Sequence, residues 1–222
     1  MVIPFPDTDI YCITDSRQSL GRGTVDVVAR MLEAGIKVLQ YREKDRKAGE
    51  MLRECRAIRR LTRAAGCCFL VNDYLDIALL CEADGVHLGQ DDIPLADARR
   101  LLGPERVIGI STHRLSEARA ALAGGADYIG VGPIFPTATK TGTPPVGYAY
   151  LEEIAAESAL PFVTIGGINE RTVSETVRRG ARCCGIVSDI TSAGDIPAKI
   201  ERLRALIRAA RAVAQDRFPN AG

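Results

Sequence analysis

The chain predicts a closed (β/α)8 barrel, with residues 1–222 forming one domain. Three observations point there. Short apolar runs alternate with amphipathic helical stretches from end to end. Those runs are continuously apolar rather than alternating, as in parallel strands covered by helices. Eight such units in 222 residues leave about 28 residues each, close to the minimum for a crossover through a helix. A doubly wound open sheet is the competing architecture, but no Gly-x-Gly-x-x-Gly follows the first strand.

The strands are predicted at Ile10–Thr14, Lys37–Arg42, Cys68–Val71, Gly85–Leu88, Val107–Ser111, Tyr128–Val131, Phe162–Ile165 and Cys183–Val187. Helices are predicted near Thr24–Ala34, Ala48–Ala65, Tyr74–Cys81, Leu95–Leu102, Ser116–Ala123, Tyr148–Glu157 and Arg171–Arg179. A last helix runs from Ile196 to about Asp216, with Pro197 near its start and Ile200, Leu203, Ile207 and Ala210 along one face. Gly35, Gly66, Gly125 and Gly180 stand where helices should stop. One connection is far longer than the others. The stretch from Gly132 to Gly147 follows the sixth strand, and a loop of that size on the C-terminal side of a barrel strand reads as a functional lid.

Composition excludes several classes. A formal net charge of +1 argues against nucleic-acid or acidic-membrane binding through bulk charge. The cluster Arg53, Arg56, Arg59, Arg60 and Arg63 lies opposite Leu52, Cys55, Ile58 and Leu61 and reads as a solvated helix face. The chain shows no signal segment and no apolar run that would span a bilayer, and its seven cysteines follow neither a CxxC nor a zinc pattern. They read as reduced core residues of a cytoplasmic protein. Whether it forms a homo-oligomer stays open.

If the barrel closes, residues just after each strand share one rim. The second strand ends in Gln40-Tyr41-Arg42-Glu43-Lys44. Alternation puts Gln40, Arg42 and Lys44 on one face, as converging donors suited to a pyrophosphate, and Tyr41 and Glu43 on the other. Asn72 and Asp73 follow the third strand; His87, Gln90, Asp91 and Asp92 belong to the fourth. Carboxylates on neighbouring strands, Asp73 with Asp91 or Asp92, suit Mg2+, which takes a few carboxylates plus phosphate oxygens and water. The competing reading makes Asp73 and Asp91 helix caps. Ser111, Thr112 and His113 follow the fifth strand, and the long loop adds Thr137, Thr139 and Lys140. Gly166-Gly167 and Val187-Ser188 close the ring, where bare backbone N–H groups can approach a phosphate; the helix after Gly167 would add its N-terminal charge. His87, inside a strand, reads as packing or orienting a neighbour, and His113 as opening a helix.

With those residues in place, the chain resembles the thiamine phosphate synthase (thiamine-phosphate pyrophosphorylase) family along nearly its whole length. The matching pieces are Tyr11–Asp15, Gln40–Lys44, Asn72-Asp73, Asp84–Asp92, Ile108–His113, Asp127–Lys140, Ile165–Ile168 and Val187-Ser188. The resemblance implies a transferase acting on two small molecules. It joins 4-amino-2-methyl-5-(diphosphooxymethyl)pyrimidine to a thiazole phosphate, plain or carboxylated, and releases pyrophosphate. It implies that Gln40 to Lys44 (Tyr41 and Glu43 included), Asn72, Ser111 and Lys140 contact the pyrimidine pyrophosphate. It implies that Asp73 and Asp92, rather than Asp91, bind Mg2+. Thr137, Ala138, Thr139, Gly167, Val187 and Ser188 would hold the thiazole phosphate. Arg42, Lys44 and Lys140 would act catalytically, stabilising charge on the departing oxygens. Two rivals remain at this level: a thiazole tautomerase-like barrel, which needs neither the full Gln40–Lys44 set nor the carboxylates, and a non-catalytic phosphate-ligand sensor, which has no use for Lys140.

Overall fold

The computed structural model describes residues 4–137, 139 and 142–217. Eight parallel strands close into a barrel in chain order. They are β1 (Ile10–Ile13), β2 (Val38–Tyr41), β3 (Cys68–Asn72), β4 (Gly85–Leu88), β5 (Val107–Thr112), β6 (Tyr128–Val131), β7 (Phe162–Ile165) and β8 (Cys183–Ile186). The closing pair joins β1 to β8 through Ile10↔Cys184 and Cys12↔Ile186. Helices α1 (Thr24–Glu33), α2 (Ala48–Ala65), α3 (Leu75–Leu80), α4 (Leu95–Leu102), α5 (Leu115–Ala123), α6 (Gly147–Glu157) and α7 (Val173–Arg178) each follow one strand. After β8 come a short helix, α8 (Ser188–Thr191), and the long α9 (Ile196–Arg217).

Both faces of the strands are buried, which is why they read as continuous apolar runs. Ile10 and Cys12, Leu39 and Tyr41, Phe69 and Val71, and Ile129 and Val131 pack outward against the helices. Tyr11, Ile13, Val38, Cys68, Leu70, Val107, Tyr128, Val163 and Cys183 fill the interior, where Phe5 stacks on Tyr128 at 4.1 Å between ring centroids. The barrel is therefore packed at its base, which leaves its C-terminal end for a ligand.

Helix ends follow the sequence signals. Gly66 caps α2 at φ +62°, and its N–H donates to the carbonyls of Thr62 and Arg63. All seven cysteines are buried free thiols. The α2 arginine face differs from expectation at one position. Arg59 is largely covered and bonds Asp84 bidentately at 2.7 and 2.8 Å, while Asp84 also accepts the Phe69 N–H, so Arg59 ties α2 to the base of β3. No helix among the described residues is long and apolar enough to cross a membrane.

Candidate active site

The C-terminal ends of the strands surround a cavity of about 350 Å³. Gln40, Arg42, Lys44, Asn72, Asp73, Asp92, Ser111, Thr137, Thr139, Gly167, Val187 and Ser188 all line it. Ala138 and Lys140 lie outside the described residues. Tyr41 and Glu43 face the other way, as strand alternation requires and as the wholesale extension of the motif did not. The Tyr41 hydroxyl donates to Glu54 of α2 at 2.7 Å. The Glu43 carboxylate, 4% exposed, accepts the N–H groups of Lys44 and Asp45 at 2.8 and 3.1 Å and pairs with Arg46. These two residues shape the turn that carries Arg42 and Lys44 rather than line the cavity.

Arg42 is held at three points. Its backbone N–H donates to Thr14 Oγ1 at 2.9 Å, one guanidinium nitrogen lies 3.4 Å from Asp15, and another donates to the Thr139 carbonyl at 2.8 Å. Gln18 reaches the same segment, donating to Thr139 Oγ1 at 3.0 Å and to Asp15 at 2.9 Å. A 3-10 turn at Ser16–Gln18, too short to leave a periodic signal, presents that side chain.

Lys44 Nζ contacts Asp73 Oδ2 at 2.5 Å. Asp73 takes a left-handed backbone conformation, φ +64°, at the end of β3. Burial raises its pKa above the ordinary carboxylate value, and the Asp92 carboxyl hydrogen-bonded beside it pushes the same way against the pull of Lys44. Asp92 is itself fixed by the Gly89 N–H, at 2.6 Å. Neither capping alternative is realised: the N-cap positions of α3 and α4 are Tyr74 and Pro94, and neither makes a side-chain cap bond. Asp91 lines the cavity instead. Among the described residues no group of three or more His, Cys, Asp or Glu gathers that could hold a metal ion. The Asp73–Asp92 pair could supply two ligands, leaving the others to a bound anion and water.

The opposite wall is built from backbone. Gly166 and Gly167 take φ +99° and +68°. A Cβ on Gly166 would fall 2.4 Å from Pro133, and one on Gly167 2.7 Å from Phe135. The long loop is strapped there, with Ile134 and Phe135 N–H groups donating to Ile165 and Gly166 carbonyls at 2.9 and 3.1 Å. The helix that follows Gly167, predicted from Arg171, starts at Val173. Asn169 and Thr172 fold the chain into side-chain-bonded turns, with Arg171 N–H donating to Asn169 Oδ1 at 2.9 Å and Asn169 N–H to Thr172 Oγ1 at 3.0 Å, so α7 begins only at Val173. The helix that starts at the rim is α8, directly after Val187.

Of the cavity floor, Gln40, Ser111 and His87 were singled out in the sequence, and its tyrosines and apolar residues were not. Tyr11, Ile13, Val163 and Ile165 line it with apolar surface. Gln40 Nε2 donates to the Tyr11 hydroxyl at 2.8 Å, and that hydroxyl lies 2.9 Å from Tyr128 Oη. His87 Nδ1 is 2.8 Å from Tyr128 Oη and His87 Nε2 2.9 Å from Ser111 Oγ. The period-two alternation of Tyr11 and Ile13 with Ile10 and Cys12 was the available signal, masked because both faces are apolar. His113 opens the α5 region, its N–H bonded to Glu117 at 2.9 Å.

Comparison with known proteins adds three findings. The model of the family described as thiamine monophosphate synthase matches residues 10–190. The chain is 54% identical over 202 residues to a thiamine-phosphate synthase of Pelotomaculum thermopropionicum, and 49% identical over 202 residues to that of Lawsonia intracellularis. Each match covers 90% of this chain and 93% of the relative. A solved thiamine phosphate pyrophosphorylase from Pyrococcus furiosus superposes with a TM-score of 0.82 at 34% identity, over 91% of this chain and 96% of the other.

Proposed function

Because the chain belongs to the thiamine monophosphate synthase family, we propose that its barrel mouth seats the two reactants of that synthesis on opposite walls. The activity is that of a thiamine-phosphate synthase, a transferase. The methylene carbon of the pyrimidine exchanges its bond to a pyrophosphate oxygen for one to the thiazole nitrogen, giving thiamine monophosphate and pyrophosphate. In our assignment Arg42, Lys44 and Lys140 face the pyrophosphate, with Asn72 and Ser111 beside it. Thr137, Thr139, Gly167, Val187 and Ser188 anchor the thiazole phosphate. The observation that supports this is one cavity lined on one side by Arg42, Lys44, Asp73 and Asp92 and on the other by Gly167 and Ser188.

The chemistry follows from charge. The aminopyrimidine ring spreads the positive charge left on its exocyclic carbon, so the C–O bond breaks before the new bond is complete. Arg42 is fixed before the ligand arrives, so its guanidinium meets the growing oxygen charge without reorganisation. Lys44 exchanges its Asp73 contact for the pyrophosphate. The apolar floor at Ile13, Val163 and Ile165 excludes water from the cation, and the phosphate anchor holds the thiazole nitrogen in line. No protein nucleophile or strong general base is needed. Asp73 and Asp92 fit Mg2+, since two adjacent carboxylates facing an anion site supply what that ion takes from a protein. When bound, it would neutralise part of the pyrophosphate charge.

Incubation with both substrates and Mg2+ tests the reading. Pyrophosphate should appear only when both are present, in step with thiamine monophosphate. A thiazole tautomerase or a phosphate sensor would release none, and that outcome would reject the assignment.

A further inference from the structure

We infer that Gln40, Tyr11, Tyr128 and His87 form a one-way relay of hydrogen-bond donors that turns the Ser111 hydroxyl hydrogen outward, onto an anionic oxygen of the ligand. Five side chains from β2, β1, β6, β4 and β5 cross the barrel beneath the cavity, with successive contacts of 2.8, 2.9, 2.8 and 2.9 Å. The first four are between 0% and 9% exposed, so water does not compete for their hydrogens.

The direction follows from the inventory of donors. The Gln40 amide nitrogen can only donate, so the Tyr11 oxygen accepts there. Tyr11 then has one hydrogen to give, and a buried hydroxyl hydrogen left unbonded is costly, so it goes to Tyr128. Tyr128 passes its own hydrogen to His87 Nδ1, which must therefore be the bare nitrogen of the ring. The ring hydrogen sits on Nε2 and points at Ser111 Oγ. Ser111 Oγ is thus an acceptor toward the barrel interior, and its own hydrogen is left for the cavity it lines. Run backwards, the relay would spend that hydrogen on His87 and offer an anion only lone pairs.

Two glycines give the rings their room. A Cβ at Gly109 would lie 2.0 Å from Tyr128 Cζ, and one at Gly130 3.2 Å from His87 Cε1. The relay thus has its own accommodation in β5 and β6. Tyr11, Tyr128 and His87 are positioning residues that act through Ser111. The value of an outward Ser111 donor rests on the function proposed above; the ring tautomer does not.

The chain has two histidines, so 15N labelling yields two imidazole spin systems to assign. His87 should show the neutral Nε2–H tautomer, and Tyr128→Phe, which removes the donor to Nδ1, should weaken that preference and move the Nδ1 resonance to that of an unbonded ring nitrogen. Kinetically, Tyr128→Phe and Ser111→Ala should each lower kcat/KM on the order of tenfold, the loss of one hydrogen bond to a charged group. The double variant should be no worse than the poorer single one. An Nδ1–H tautomer in the unaltered protein, or losses that multiply in the double variant, would overturn the relay. If Tyr128→Phe does not fold, the tautomer in the unaltered chain decides. An Nε2–H ring in a protein that releases no pyrophosphate would support the relay and count against the assigned function instead.

Discussion

Lys44 and Asp73 hold each other in a way that a ligand would rearrange. Their 2.5 Å contact joins a lysine still substantially exposed to a carboxylate largely covered by its surroundings. On the proposed reading, an arriving pyrophosphate would compete for the lysine and a divalent cation for the carboxylate. Lys44→Ala should therefore cut kcat on the order of a hundredfold, as loss of a preorganised charge donor does; turnover near normal would remove Lys44 from the mechanism. Lys140→Ala should do the same. Asp73→Asn is a clean test of the metal assignment, because asparagine tolerates the left-handed backbone that Asp73 adopts. It should raise the Mg2+ concentration needed for half-maximal rate, and an unchanged Mg2+ titration would leave Asp73 a structural role only. Glu43 bears on stability. Burial alone would raise its pKa, but hydrogen bonds from Ser16, Asp45, Lys44 and Arg46 outweigh it and the net shift is downward. Its stabilisation is thus present above the unfolded carboxylate pKa and fades as pH falls through the lower folded value. Glu43→Gln should cost about 1–3 kcal/mol at neutral pH, and melting temperatures should show the deficit shrinking on acidification.

Among the elements, the strands and the helices α1 to α7 were legible, and the single-turn pieces were not. All eight strands lie where the apolar runs put them, with ends displaced by at most about one residue. The rim residues were legible for the same reason, since they lie at or shortly after the ends of such runs. The four-residue α8 and the Ser16–Gln18 turn offer no 3.6-residue periodicity, so only coordinates reveal them. The start of α7 falls at Val173 rather than Arg171 because Asn169 and Thr172 close turns on themselves. Arg59 was misread because its place in a stripe of arginines says nothing of Asp84 across the sequence. Truncating it leaves a mostly buried carboxylate unpaired, so Arg59→Ala should destabilise the fold by roughly 2 kcal/mol, below the cost of breaking a fully buried pair, while kcat per folded molecule stays unchanged. Denaturant titration with an activity assay checks both halves.

Across the whole molecule, the barrel brings remote segments to one opening and divides them by kind. The wall from β2 to β4 contributes side-chain charge, in Arg42, Lys44, Asp73 and Asp92; the wall from β7 to β8 contributes bare backbone, in Gly166, Gly167 and the start of α8. Closure in chain order sets these walls on opposite sides of the axis. That division is the central claim: one wall carries the bond-breaking charge and the other carries the anchor. Steady-state kinetics on Lys44→Ala and Gly167→Ala, with the thiazole phosphate varied at saturating pyrimidine substrate, tests it most directly. Lys44→Ala should lose kcat with little change in the thiazole phosphate KM, while Gly167→Ala should raise that KM by on the order of tenfold and keep most of kcat. If both variants moved the same parameter, the two walls would not serve two different anions.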